Sequence, residues 1–103
     1  NGLGVPQDYA TAKTLYVKAA VHVSHARVAL GNLYYLGDGV PQNNILAYMW
    51  FDLAITQGSE KTSIAKDAMK RRSSVTKKMV PTQIAEAQKL SRECLAKAYK
   101  DCG

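Results

Sequence analysis

Cys94 and Cys102 are the two cysteines of a 103-residue chain, and a thiol pair can bind metal or close a cross-link. Zinc is excluded for this pair alone, because no Cys-x-x-Cys motif or histidine cluster accompanies it. Inside one unbroken helix, eight residues would hold the two Cα atoms about 12 Å apart, well beyond the span of a disulfide. A bond therefore requires the helix to end near Tyr99 and the tail 100–103 to fold back. The alternative is two thiols, Cys94 buried and Cys102 in a frayed end. His22 and His25 stand three residues apart, a spacing that suits metal on a continuous helix. They straddle a break between helices, however, with no carboxylate near in sequence, so a turn-capping or surface role is expected. Gly37 and Gly39 could cradle a phosphate, but no Lys-Ser/Thr follows and no strand pattern precedes. Trp50-Phe51 and Tyr34-Tyr35 could stack on bases, yet helical spacing assigns one member of each pair to the core. No Ser/His/Asp, Cys/His or paired-carboxylate constellation stands out, so no catalytic, cofactor or metal residue is assigned and the chain is not read as an enzyme.

Charge is the remaining chemistry. The chain carries 14 Lys/Arg against 8 Asp/Glu, a net charge of +6. Most of the excess lies in residues 60–78, where Lys61, Lys66, Lys70, Arg71, Arg72, Lys77 and Lys78 face only Glu60 and Asp67. Such a face attracts acidic proteins, nucleic acid or anionic lipid. A solvated helix face is the commoner meaning of a lone basic helix.

The elements that position these residues can be read from composition and repetition. At 47% hydrophobic and 21% charged residues, the chain has the usage of a folded protein the size of one small domain. No run of about eighteen apolar residues is present, which excludes a membrane-spanning helix. Gly2-Leu3-Gly4-Val5-Pro6-Gln7 returns 35 residues later as Gly37-Asp38-Gly39-Val40-Pro41-Gln42, and Ala12 and Ala19 return as Ala47 and Ala54. These are seven identities in nineteen positions, where average usage would give roughly one. The two blocks are expected to share one local conformation. Gly37 can take the left-handed conformation that closes a helix, Pro41 prevents its continuation, and Asn43 or Asn44 can cap the next.

Between the blocks, apolar residues fall at helical spacing. The stripes are Tyr9, Ala12, Leu15, Tyr16, Ala19 and Ala20; then Ala26, Ala29, Leu30, Leu33, Tyr34 and Leu36; then Ala47, Trp50, Phe51, Ala54 and Ile55. Breaks at His22-Val23-Ser24 and Gln57-Gly58-Ser59 turn successive helices back on each other. Small residues such as Gly31 allow close approach, and stacking of hairpins buries the faces that one hairpin leaves open. Residues 60–79 keep helical spacing but lose the markers of the repeat, and Ser73-Ser74 weakens the middle. Pro81 opens a last helix striped by Ile84, Ala87, Ser91, Cys94, Leu95 and Ala98. Val80 offers that helix no side-chain cap, which leaves a start at Thr82 as the alternative.

The Gly-x-Gly-Val-Pro-Gln block, the stretch Asp8–Ala20 and the run Ala26-Arg27-Val28-Ala29-Leu30-Gly31-Asn32-Leu33-Tyr34-Tyr35 resemble the Sel-1-like repeat family, which is related to tetratricopeptide repeats. The run from Met79 to Leu90 is similar to the closing helix of many bacterial members. The spacing of 35 is one short of the family's usual period, and the first inter-helix turn lacks the glycine that survives as Gly58. The resemblance implies an all-α, right-handed αα-superhelix of about five antiparallel helices. Residues 1–23 would be the second half of one repeat, 24–58 a complete repeat, 59–79 a degenerate repeat helix and 80–103 a capping helix. The opening Gly/Pro block suggests part of a longer repeat array, with any export signal outside these residues. Some exported members carry disulfides, though at positions empty here. A Cys94–Cys102 bond would favour a periplasmic or secreted setting.

The function implied is a scaffold that binds a protein or peptide, with an acidic one favoured, and needs no cofactor. Carried over from Leu30-Gly31, the family geometry places His25, Val28, Asn32, Tyr35 and Leu36 on the concave face. The alternative is an anionic ligand, nucleic acid or an acidic surface, held by Lys66, Lys70, Arg71, Lys77 and Lys78; nucleic acid is the less favoured partner. A cell-wall hydrolase is a weaker alternative, resting only on activities suggested for exported relatives.

Overall fold

The computed structural model describes residues 5–56 and 63–102, and each helically spaced stretch among them folds as an α-helix. In chain order these are α1 (Val5–Ala19), α2 (Ser24–Leu36), α3 (Asn44–Thr56), α4 (Ser63–Thr76) and α5 (Pro81–Ala96). No strand occurs among the described residues. Gly2, Gly4 and the break at Gln57-Gly58-Ser59 lie outside them. None of the helices is long and apolar enough to cross a membrane.

The α2–α3 turn forms as its glycines and asparagines require. Gly37 sits at φ 75°, ψ 33°, and its N–H donates to Leu33 O at 2.8 Å, closing α2 in the conformation that glycine adopts without a steric penalty. Asp38 N–H donates to the same carbonyl at 3.0 Å. Asn43 supplies the cap, its Oδ1 accepting from Leu46 N–H at 3.0 Å. The earlier copy of the block behaves differently. Val5-Pro6-Gln7 lies inside α1, whereas Val40-Pro41-Gln42 precedes α3. Proline is tolerated in a first helical turn, where its missing N–H has no partner to lose, so the same tripeptide serves on either side of a helix start.

The core forms around α3, which touches α2, α4 and α5. The expected stripe of Ala47, Trp50, Phe51, Ala54 and Ile55 is buried, and so are Tyr48, Met49 and Leu53. A helix with partners on three sides needs apolar residues all round. Leu30, Leu33 and Tyr34 meet it from α2, with Ile84 packing partly buried from α5. Gly31 faces Phe51 so closely that a Cβ there would run into the ring. This is the contact that a small residue permits.

Two sequence expectations are corrected. Leu15 is 58% exposed, because α1 packs on α2 alone among the strongly contacting helices. Ser73 and Ser74 do not interrupt α4; the Ser74 hydroxyl donates to Lys70 O at 3.2 Å, a local bond compatible with helix. Helix α5 opens at Pro81 as expected, and the alternative start at Thr82 is not taken. Gln83 Oε1 accepts from Val80 N–H at 3.1 Å, supplying from within the helix a bond that valine's side chain cannot make.

Candidate functional site

Helix α2 packs against α3 and α1, and α4 also lies alongside it. Asn32 and Tyr35 stand three residues apart on α2 and so share a face. Both meet cations from the region of α4. Arg71 Nη1 donates to Asn32 Oδ1 at 3.0 Å, while Arg71 Nε donates to Asp67 Oδ2 at 2.8 Å one turn back. Lys78, just past the end of α4, places its Nζ 4.9 Å from the centroid of the Tyr35 ring, within cation–π range. Two surfaces separate in the sequence are therefore contiguous in the fold.

His25 is exposed in the first turn of α2, and Leu36 is 64% exposed in its last. Val28 is 6% exposed and belongs to the core rather than to an exposed face. Lys66 and Lys70 are exposed and form no ion pair among the described residues. Lys77 lies apart from the α2 contacts and lines a cleft between α4 and α5. The α2–α4 surface thus presents one half-buried ring, one amide, one exposed leucine and the cations Arg71 and Lys78. Arg71 has five N–H donors, and its two bonds leave others for an incoming acceptor. Such a surface can hold carboxylates by charge-assisted hydrogen bonds while Tyr35 and Leu36 provide apolar contact.

A second cluster had no local signal beyond its cysteines. Cys94 and Cys102 are bonded, with their Cα atoms 5.4 Å apart. Helix α5 ends at Ala96, and the tail turns back through Ala98, Tyr99 and Asp101, all at φ between 55° and 67°. Tyr99 N–H donates to Cys94 O at 2.9 Å, and the ring lies buried against Arg27, whose Cζ is 4.3 Å from its centroid. Arg27 is itself 3% exposed. Its Nε donates to Ala20 O at 2.7 Å and its Nη2 to Val21 O at 3.2 Å, satisfying carbonyls of the α1–α2 turn. Burial pushes the guanidinium below its ordinary pKa, and the neighbouring Tyr99 opposes that push. The disulfide thus fastens the tail over the α1–α2 turn.

Antiparallel helical hairpins stacked side by side define a tetratricopeptide-like helical solenoid. The chain belongs to the Sel1 repeat family, whose model matches residues 1–20 and 24–59, covering α1 and the α2–α3 hairpin. No curated protein matches the chain, and no solved structure does. Sel1 repeats generally mediate protein–protein interaction and, as a family, are non-enzymatic binding modules.

Proposed function

We propose that this protein is an adaptor that captures an acidic segment of another protein in the groove between α2 and α4. The observation that carries the reading is the pair of contacts Arg71–Asn32 and Lys78–Tyr35, which put cations beside the polar and aromatic side chains of the groove. Aromatic and arginine side chains are the types that anchor interfaces. A cationic face also speeds encounter with an acidic partner. In this reading α4 is the first helix of a degenerate repeat, α5 is the cap, and Val28 belongs to the core.

The test is co-purification of the partner from the native host with the full-length protein, followed by variants. Asn32→Ala with Tyr35→Ala should abolish capture while helicity is retained and melting falls by no more than the loss of one half-buried ring and one exposed hydrogen bond. Capture that survives this change but disappears with Lys70→Gln, Arg71→Gln and Lys78→Gln would assign function to the basic face alone. Recovery of nucleic acid, with affinity falling steeply as salt rises, would replace the adaptor reading.

A further inference from the structure

Helices α4 and α5 both pack on α3 but make little contact with each other. The gap between them is a cleft of about 640 Å³, within the range of small-ligand sites. Tyr48 and Asp52 of α3 line it, with Met69 and Lys77 from the α4 side and Gln88 and Arg92 from α5. Its one acidic group is already answered. Asp52 Oδ1 accepts from Arg72 Nη1 at 2.6 Å, and Oδ2 accepts from Ser91 Oγ at 2.8 Å. Gln88 Nε2 donates to the Tyr48 hydroxyl oxygen at 3.3 Å, tying α5 to α3 at the floor of the cleft. Lys77 and Arg92 are exposed and form no ion pair among the described residues. The Met69 thioether, the Tyr48 ring with Arg72 Cζ 5.8 Å from its centroid, and two cations on the α4 and α5 sides therefore line one cleft.

We propose that this cleft is a binding site, distinct from the α2–α4 groove, for a ligand carrying two carboxylates a short aliphatic stem apart. The stem would lie against Met69 and the edge of Tyr48, and one carboxylate would meet Lys77 while the other meets Arg92. Arginine's planar fork suits a carboxylate, and the lysine on the facing wall adds a point charge. The chemistry can come from a free dicarboxylic acid or from neighbouring acidic side chains of a peptide. The site does not depend on the adaptor reading, because none of the groove residues Asn32, Tyr35, Arg71 and Lys78 lines it.

The experiment is a nuclear magnetic resonance titration of the full chain with glutarate and, separately, with an end-capped oligoglutamate peptide. Saturable shifts at Met69 and Gln88 with glutarate support the site and identify a free acid as sufficient. The same shifts with the peptide alone support it with a peptide as the source. In either case Lys77→Gln with Arg92→Gln should weaken binding about tenfold, since each exposed charge contributes modestly. Arg71→Gln with Lys78→Gln should leave these shifts in place. Both substitutions change exposed side chains, and an unaltered spectrum outside the cleft will verify the fold. Shifts that rise without saturation, or that appear only at Asn32 and Tyr35, overturn the proposal.

Discussion

Arg27 illustrates how a buried cation becomes tolerable in a protein interior. An isolated buried charge is expensive. Here carbonyls of the α1–α2 turn receive its N–H groups, and the Tyr99 ring covers it. The tail delivering that ring passes through Ala98, Tyr99 and Asp101 at positive φ, where each L-residue costs roughly 1–2 kcal/mol. A covalent tie offsets that strain by restricting the unfolded chain, a contribution of roughly 2–3 kcal/mol for a loop this short. Cys94→Ser with Cys102→Ser should lower stability by about that amount in urea denaturation; an unchanged midpoint would show that the tail holds without the bond. Trp50 is the other informative residue. It is fully buried, and its Nε1 makes no hydrogen bond among the described residues. Trp50→Ala should cost roughly 3–5 kcal/mol, whereas Trp50→Phe should cost clearly less, because no polar bond is lost with the indole. Thermal melts of the two variants check the ranking.

Among the elements, the helices were readable because their determinants are local. Gly37 at the end of α2, Asn43 before α3 and Pro81 opening α5 each act within a few residues of their own position. Apolar spacing of about 3.6 residues likewise marks each buried face. The tail was only half legible. Two cysteines eight apart stated the condition for a bond, but nothing near Tyr99 in sequence points to Arg27, since that contact exists only once α5 lies beside α3. The cleft between α4 and α5 was invisible for the same reason, as its walls come from three helices whose separation is a tertiary property. The α2–α4 contacts were partly legible: Asn32 and Tyr35 share a helix face by their spacing and the cations followed from composition, while their contact required the fold. The α2–α3 packing makes a further prediction. Gly31→Ala would press a methyl group against Phe51, a ring with no exposed surface. It should therefore destabilise by roughly 1–3 kcal/mol despite alanine's better helix propensity; a rise in melting temperature would contradict the close approach.

At the scale of the whole molecule, the net charge of +6 acts before any contact forms. Its positive field favours acidic partners and should raise association rates at low ionic strength. Capture should accordingly slow as salt increases, because exposed charges are screened within about 10 Å at 0.1 M. Stopped-flow association across a salt series would register the effect, and a salt-independent rate would remove charge from the account. The central claim is narrower: the partner sits between α2 and α4. Site-specific photo-crosslinking in the native host tests it most directly, with the reactive side chain placed at Tyr35, at Lys70 or at the exposed Glu86 of α5. The account predicts partner adducts from positions 35 and 70 and none from position 86. Adducts from position 86 with none from position 35 would contradict it.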